Sequence, residues 1–181
     1  MDIRPEIQIQ VILKALTDVI LPAVDQDNKL AQEQTRLAIG TLQLVAKRLP
    51  IAYRYDRDEL NRYVGLSRDL IAQVGKKAGG TVVGGLEALA AHGADVLDRA
   101  RAEPAEMEKA IFDLRATVGE LIEAVHTSGD PAAQAALRKL VLAAAKPELE
   151  RERAAVVDMG WETDPRTHAP PLEKQLPPLK T

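Results

Sequence analysis

The sequence contains no cysteine, and among its 181 residues only five are aromatic: one tryptophan, one phenylalanine and three tyrosines. The absence of cysteine excludes disulfide bonds, thiolate catalysis and cysteine ligation of metals. The scarcity of aromatic residues leaves the core to alanine, leucine and other aliphatic residues. Such a core suits α-helices better than β-strands, which favour β-branched and aromatic residues.

The chain also lacks a large excess of charge of either sign. The formal net charge is −3, and both signs are interspersed along the chain, so there is no basic face for nucleic acid and no polybasic patch for a membrane surface. No apolar run is long enough to cross a bilayer, and the early acidic residues Asp2 and Glu6 argue against a signal peptide. We therefore expect a cytoplasmic protein with no nucleic-acid or membrane partner.

The clearest periodic stretch is 104–127, which predicts the central helix of the fold. Its large apolar residues recur at alternating steps of four and three, at Met107, Ile111, Leu114, Val118, Leu121 and Val125. This spacing places them on one stripe of a helix, as at the seam of a helical bundle. Pro104 suits a first helical turn, and Ser128-Gly129 suits a helix end.

Similar periodicity predicts further helices over about 6–20, 26–48, 56–77, 86–101 and 131–145, with a polar helix running on to about Met159. Asp25 is the expected N-cap of the second of these helices. Proline cannot donate a backbone hydrogen bond. We therefore expect Pro22 to end the first helix, Pro50 to close the second, and Pro147 to break or kink the helix that begins at 131.

The predicted fold is therefore all-α, an antiparallel up-and-down helical bundle of five or six helices. We expect this bundle domain to occupy residues 1–159. Residues 160–181 hold five of the 11 prolines and no periodicity, which predicts an extended proline-rich arm.

The first predicted helix is apolar on more than one face. One face carries Ile9, Ile12, Leu13, Leu16, Val19 and Ile20, while Ile7 and Val11 lie outside it. A helix that is apolar over more than half of its circumference is either central in its own domain or shared with another chain.

A metal site is suggested by Glu123-Ala-Val-His126, which matches the Glu-x-x-His step of di-iron helical bundles. Helical geometry argues against this interpretation. At about 100° per residue, Glu123 points roughly 160° and His126 roughly 100° away from the apolar stripe, and no second motif is present. We predict no metal ligands and no cofactor.

No catalytic residue can be assigned from the sequence. Gly65-Leu-Ser67-Arg-Asp69 approaches the nucleophile-elbow pattern but lacks its second glycine and a preceding strand. Ser67 also falls on the inward face of its predicted helix.

The segment Gly75–Gly85 has the most unusual local composition, with five glycines and two lysines before a predicted helix. Backbone N–H groups in such a turn can hold a phosphate. The order is wrong for a P-loop, in which the lysine follows the last glycine. The candidate ligand-binding residues are Lys76, Lys77, Gly79, Gly80 and Thr81. The alternative is a flexible connection or a close helix–helix contact.

Tyr53-Arg54-Tyr55, placed in the connection after Pro50, and Trp161, just before the arm, are candidate interface residues. Tyrosine, arginine and tryptophan are enriched at binding hot spots. The alternative is that these few aromatic residues pack the ends of the bundle.

The opening Met1-Asp-Ile-Arg-Pro-Glu-Ile-Gln8 and the stretch from Leu21-Pro-Ala-Val-Asp25 to Leu44 resemble an uncharacterised bacterial family of short all-helical proteins. These proteins accompany acyl-CoA dehydrogenases and phosphotransferase-type kinases. The resemblance covers about the first third of the chain and includes no catalytic motif. It implies an accessory role in acyl-CoA metabolism.

Three functions are compatible with these observations. The leading hypothesis is a non-catalytic interaction protein that self-associates as a homo-oligomer or binds a partner enzyme. The second is a module for a phosphorylated or CoA-type ligand at the Gly75–Gly85 turn. The third is a metal-dependent oxidase of ferritin-like class.

Overall fold

The structure, a computed structural model, describes residues 4–74, 80–99, 102–160 and 164–177. Within these ranges the chain is helical and contains no strand, which confirms the predicted all-α class. The first helix, α1, runs without interruption through Pro5–Ala15, Leu16–Ile20 and Leu21–Ala23. The others are α2 (Lys29–Arg48), α3 (Ala52–Val74), α4 (Gly80–Asp98), α5 (Pro104–Ser128), α6 (Pro131–Val156) and the one-turn α7 (Leu172–Gln175).

The chain divides into two compact units. Unit 1 comprises Met1–Ala52 and Arg153–Ala169, and unit 2 comprises Tyr53–Glu152 and Pro170–Thr181. Unit 1 thus holds α1 and α2, while unit 2 holds α3, α4, α5 and most of α6. This division differs from the predicted domains at 1–159 and 160–181.

The hydrophobic core lies in unit 2. All six residues of the apolar stripe predicted for 104–127 are buried on α5, which confirms its place at the centre of the bundle. They pack with buried aliphatic residues of α3, α4 and α6, among them Leu60, Leu70, Leu86 and Leu137. The left-handed backbone of Gly129, with φ 69°, ends α5 as its sequence predicts.

Gly93 lies on α4 against side chains of α3 and α5. A Cβ atom at this position would lie 2.8 Å from Val64 Cγ2, 3.3 Å from Leu60 Cδ1 and 3.4 Å from Leu114 Cδ1. The contact at 2.8 Å is closer than real Cβ atoms come to their neighbours. Glycine is therefore required here by packing, since the helix itself would be more stable with alanine.

Pro22 was expected to end the first helix, but α1 continues to Ala23. The accommodation occurs in the preceding turn, where Leu16–Ile20 is π-helical and the N–H of Leu21 bonds to the carbonyl of Leu16. Because Pro22 has no N–H, the carbonyls of the preceding turn do not need the regular α-helical spacing. Proline has changed the helix locally without ending it.

The expected N-cap at Asp25 is also wrong. The second helix begins at Lys29, and Asn28 caps it by accepting a hydrogen bond from the Ala31 N–H at 3.0 Å. The Asp25 carboxylate instead accepts from the Asp27 N–H at 3.0 Å in the turn before the helix. Both residue types can cap, so the sequence alone does not rank them.

Pro50 lies in a short 3₁₀ turn, Leu49–Ile51, and α3 begins directly at Ala52. Proline fits the start of such a turn because its missing N–H has no partner there. The predicted connection at Tyr53–Tyr55 is therefore the first turn of α3. The helix predicted to begin at 56 therefore begins four residues earlier, and Asp56 and Glu59 lie inside it.

Pro147 neither ends nor breaks α6, which runs from Pro131 to Val156. One proline removes one backbone hydrogen bond, and the bonds on either side remain. The next turn is held independently, since Glu148 and Arg151 pair with residues of α3.

The extended arm predicted for 160–181 is not confirmed. Its described part contains a 3₁₀ turn, Pro165–Thr167, and the one-turn helix α7. Leu172 and Leu176 are buried, and the Arg54 guanidinium donates to the carbonyl of Pro177 at 2.9 Å. This end of the tail therefore packs against its own chain, within unit 2.

Candidate functional site

The predicted ligand-binding segment is described only in part. Lys76, Lys77 and Gly79 lie outside the described residues, whereas Gly80 and Thr81 form the first turn of α4. Residues Gly80–Gly85 are therefore helical, and their prediction as a turn was wrong. Neighbouring Val82, Val83 and Leu86 pack on the core, and this packing outweighs the low helix propensity of glycine. Ligand binding at this segment stays a prediction.

The predicted interface residues Tyr53, Arg54 and Tyr55 do not share one environment. Tyr53 is exposed on α3, while Arg54 binds the Pro177 carbonyl. Burial, and then the nearby Glu59 carboxylate, raise the pKa of Tyr55 above its ordinary value of 10.0. Trp161 lies outside the described residues.

Glu123 and His126 are both exposed on α5, as helical geometry predicted. Across the part of the chain that the structure describes, no group of three or more histidine, aspartate or glutamate side chains is arranged to hold a metal ion. These two residues therefore do not converge on a common site.

A cluster of charged side chains lies between α3, α5 and α6, and the sequence did not predict it. Asp58 and Glu59 are buried, and most of the others are half-buried. Arg62 pairs with Asp58 at 3.0 Å and also with Glu148. Arg151 Nε lies 3.3 Å from the same Asp58 carboxylate. Each arginine is close to at least one carboxylate, so these charges largely neutralise one another.

Arg115 lies at the edge of this cluster, where its side chain is 39% exposed, and joins α5 to it. Its guanidinium lies 2.5 Å from Glu59 Oε1 and 3.6 Å from Glu148 Oε1. It also donates to the Tyr63 hydroxyl at 3.0 Å and lies over the Tyr63 ring, 5.2 Å from its centroid. Burial raises the pKa of Glu59, although Arg115 and Arg62 lower it.

The pairing within this cluster indicates a structural role. Three arginines face three carboxylates, so each acid and each base of the cluster has a partner of opposite charge. The spacing of Asp58 and Arg62, and of Glu148 and Arg151, was visible in the sequence as helical pairs. Their burial was not, because charged residues at such spacing usually lie on exposed faces.

The unusual surface of this protein lies in unit 1. Eight large apolar side chains are exposed on its two helices, namely Ile7, Val11, Ile12, Val19, Ile20, Leu30, Leu37 and Val45. We refer to these eight residues as the α1–α2 apolar set. Val11 is 64% exposed and Val19 is 66% exposed, so these are not side chains at the margin of a core.

The interior of unit 1 contains few buried apolar residues. No residue of α1 is buried, and the buried residues of α2 are Gln32 and Ile39. Gln32 donates its side-chain amide to the carbonyl of Val24 at 2.8 Å, so one of the two buried residues of α2 is polar. The sequence left two alternatives for α1, a helix central in its own domain and a helix shared with another chain. The lack of buried residues on α1 excludes the first.

A shallow open cleft of 590 Å³ lies between α1 and α2. Its lining is mostly polar and includes Gln10, Lys14, Asp18, Gln43 and Lys47. Lys14 already pairs with Asp18 at 3.0 Å, and Lys47 pairs with Asp158. The cleft therefore lacks the apolar lining and converging free polar groups that small-molecule sites have.

Comparison with protein-family models, with curated proteins and with solved structures finds no match to this chain. The predicted resemblance to a family of acyl-CoA dehydrogenase neighbours stays a prediction. In the described ranges, no helix combines the length and the apolar character needed to span a bilayer.

Proposed function

We propose that this protein is a non-catalytic interaction protein that associates, with itself or with a partner enzyme, through the α1–α2 apolar set. The observation that carries the proposal is the complete lack of buried residues on α1. An amphipathic helix is normally held by burying its apolar face. On α1, Ile9, Leu13 and Leu16 are only half-buried, and five further large apolar side chains are exposed. A helix with this much uncovered apolar surface is suited to a second molecule.

The size of the apolar set supports measurable association. Fully burying a valine or leucine side chain contributes about 1.5–3 kcal/mol, and these side chains are roughly half exposed. Covering eight of them would contribute roughly 8 kcal/mol in total. Association itself costs about 4–15 kcal/mol. The gain and the cost are of similar size, so a stable complex requires an interface that covers most of the set.

The test replaces two members of the set on α1 with a polar residue. Val11→Gln/Val19→Gln removes exposed apolar surface without weakening the helix, because glutamine has a higher helix propensity than valine. The control is Leu142→Gln, since Leu142 is 62% exposed on α6 and lies in unit 2. Circular dichroism checks that all three proteins have the same helix content.

Light scattering after size exclusion then measures self-association over a range of concentrations. We expect wild type and the Leu142→Gln variant to associate and the double variant to be shifted toward monomer. If wild type is monomeric, wild type and the double variant are each affinity-purified from the native cell. The comparison is whether an enzyme co-purifies with wild type and is lost from the double variant. The proposal fails if no association of either kind depends on Val11 and Val19.

A further inference from the structure

Three leucines on α2 lie on one stripe of the helix, two of them exposed and the third, Leu44, half-buried. Leu30, Leu37 and Leu44 are each seven residues apart, and seven residues fall within about 20° of two full helical turns. Leu30 is 68% and Leu37 is 51% exposed. The buried residues of α2, Gln32 and Ile39, each follow a stripe leucine by two positions. They therefore lie on the opposite side of the helix, about 200° away.

Gly40 lies on the same outward face, three residues after Leu37 and four before Leu44. Glycine weakens a helix interior, and close approach of a second helix is the usual compensation. Among the residues that the structure describes, no helix packs this closely, because a Cβ atom built at Gly40 meets nothing within 4 Å. The exposed leucines and the uncovered glycine thus indicate that a helix from outside packs here.

The pattern is symmetric about Leu37. If a second α2 lies antiparallel with its own Leu37 at the same level, Leu30 of each copy lies opposite Leu44 of the other. A two-fold arrangement of this kind uses the same surface on both copies.

The charges at the ends of α2 favour the same direction. Asp25 and Asp27 precede the helix, and Lys47 and Arg48 end it. An antiparallel pair places Asp27 near Lys47 of the other copy, whereas a parallel pair places like charges together. Lys47 already pairs with Asp158 but remains half exposed, and its ammonium group has three donors.

We infer that the occupant of this face is a second copy of this chain, with the two α2 helices antiparallel about Leu37. The inference rests on the proposed function, since it specifies the partner for the α2 part of the apolar set. It assigns Leu37 to the two-fold axis and Gly40 to the closest approach of the two helices.

Site-specific cross-linking of the full chain tests this arrangement. Because the natural chain has no cysteine, a single introduced cysteine is the only thiol, and a short bis-maleimide joins only neighbouring cysteines. Leu37→Cys should cross-link to itself. Leu30→Cys alone should not, since its two copies would be about 21 Å apart along the pair. A mixture of Leu30→Cys and Leu44→Cys chains, distinguished by mass, should cross-link.

The control for random encounter is Leu142→Cys, which is equally exposed on α6 and should give no cross-link. A second measurement uses Gly40→Ala, which should raise the thermal stability of the chain while weakening self-association by at least about fivefold. The two effects have opposite signs, so loss of folding cannot produce the expected result.

Three results would overturn the inference. Cross-linking of Leu30→Cys to itself would show a parallel pair. Association that depends on Val11 and Val19 but gives no cross-link at Leu37→Cys would leave the proposed function standing without this geometry. A monomer at every concentration would show that the second copy is not the occupant, and the proposed function would then rest on a partner enzyme.

Discussion

Replacing Gly93 with alanine should destabilise unit 2, although alanine is the better helix former. The added methyl group would lie 2.8 Å from Val64 Cγ2. A valine in a helix has one strongly preferred χ1 rotamer, so Val64 cannot turn aside without strain. The two leucine contacts, at 3.3 and 3.4 Å, are tight as well but involve the mobile ends of their side chains.

The magnitude follows from two opposing effects. Overpacking a well-filled core costs about 1–3 kcal/mol, while glycine to alanine in a helix interior gains about 1 kcal/mol. The matched control is Gly119→Ala on α5, where an added Cβ meets nothing within 4 Å. Only the propensity gain applies there, so the two variants should differ by about 1–3 kcal/mol.

Urea unfolding followed by circular dichroism measures both variants against wild type. We expect Gly119→Ala to unfold at a higher urea concentration than wild type and Gly93→Ala at a lower one. The denaturant slope should be the same for all three proteins, which would show that stability alone has changed. If Gly93→Ala is as stable as Gly119→Ala, the close packing of α3, α4 and α5 described here is refuted.

Three further predictions concern the core, the buried charges and a helix cap. Leu114→Ala should lower the free energy of unfolding by about 2–5 kcal/mol, whereas the exposed neighbour Phe112→Ala should change it by less than about 0.5 kcal/mol; urea unfolding separates the two. Burial raises the pKa of Glu59 above its ordinary value of 4.5, so its contribution to stability is greatest below that pH and falls as pH rises through the folded pKa. Thermal unfolding at a series of pH values should show that the unfolding temperature falls less with rising pH in Glu59→Gln than in wild type. The same pH profile in both proteins would contradict the raised pKa of Glu59. Asn28→Ala should cost about 1 kcal/mol by removing the cap of α2, and Asp25→Ala should cost less; the reverse order would restore Asp25 as the cap.

The all-α class and the central helix were predictable because they depend on periodicity. The apolar stripe of α5 needs no tertiary information, since its spacing alone brings the six residues to one face. The prolines show the limit of this reasoning. Pro50 closes α2 as predicted, since that helix ends at Arg48. Pro22 and Pro147 instead lie within their helices, where a π turn and flanking hydrogen bonds accommodate them.

The surface of unit 1 was predictable in part. The sequence showed that α1 is apolar on several faces, but it could not distinguish a buried central helix from an uncovered one. The buried charges of α3, α5 and α6 were not predictable at all, because whether Glu59 or Arg62 is buried depends on which helices pack against it. For the same reason the outward direction of Leu37 became evident only once Ile39 was found buried.

The charged cluster affects the axial position of α6 against its neighbouring helices. The surface that α6 presents over Pro131–Ala145 is rich in alanine and leucine, whose contacts are less directional than ion pairs. A shift of one helical turn, about 5.4 Å, would carry Glu148 away from Arg62 and Arg151 away from Asp58. Buried charges left unpaired cost about 3–5 kcal/mol. The ion pairs therefore select one axial register for α6.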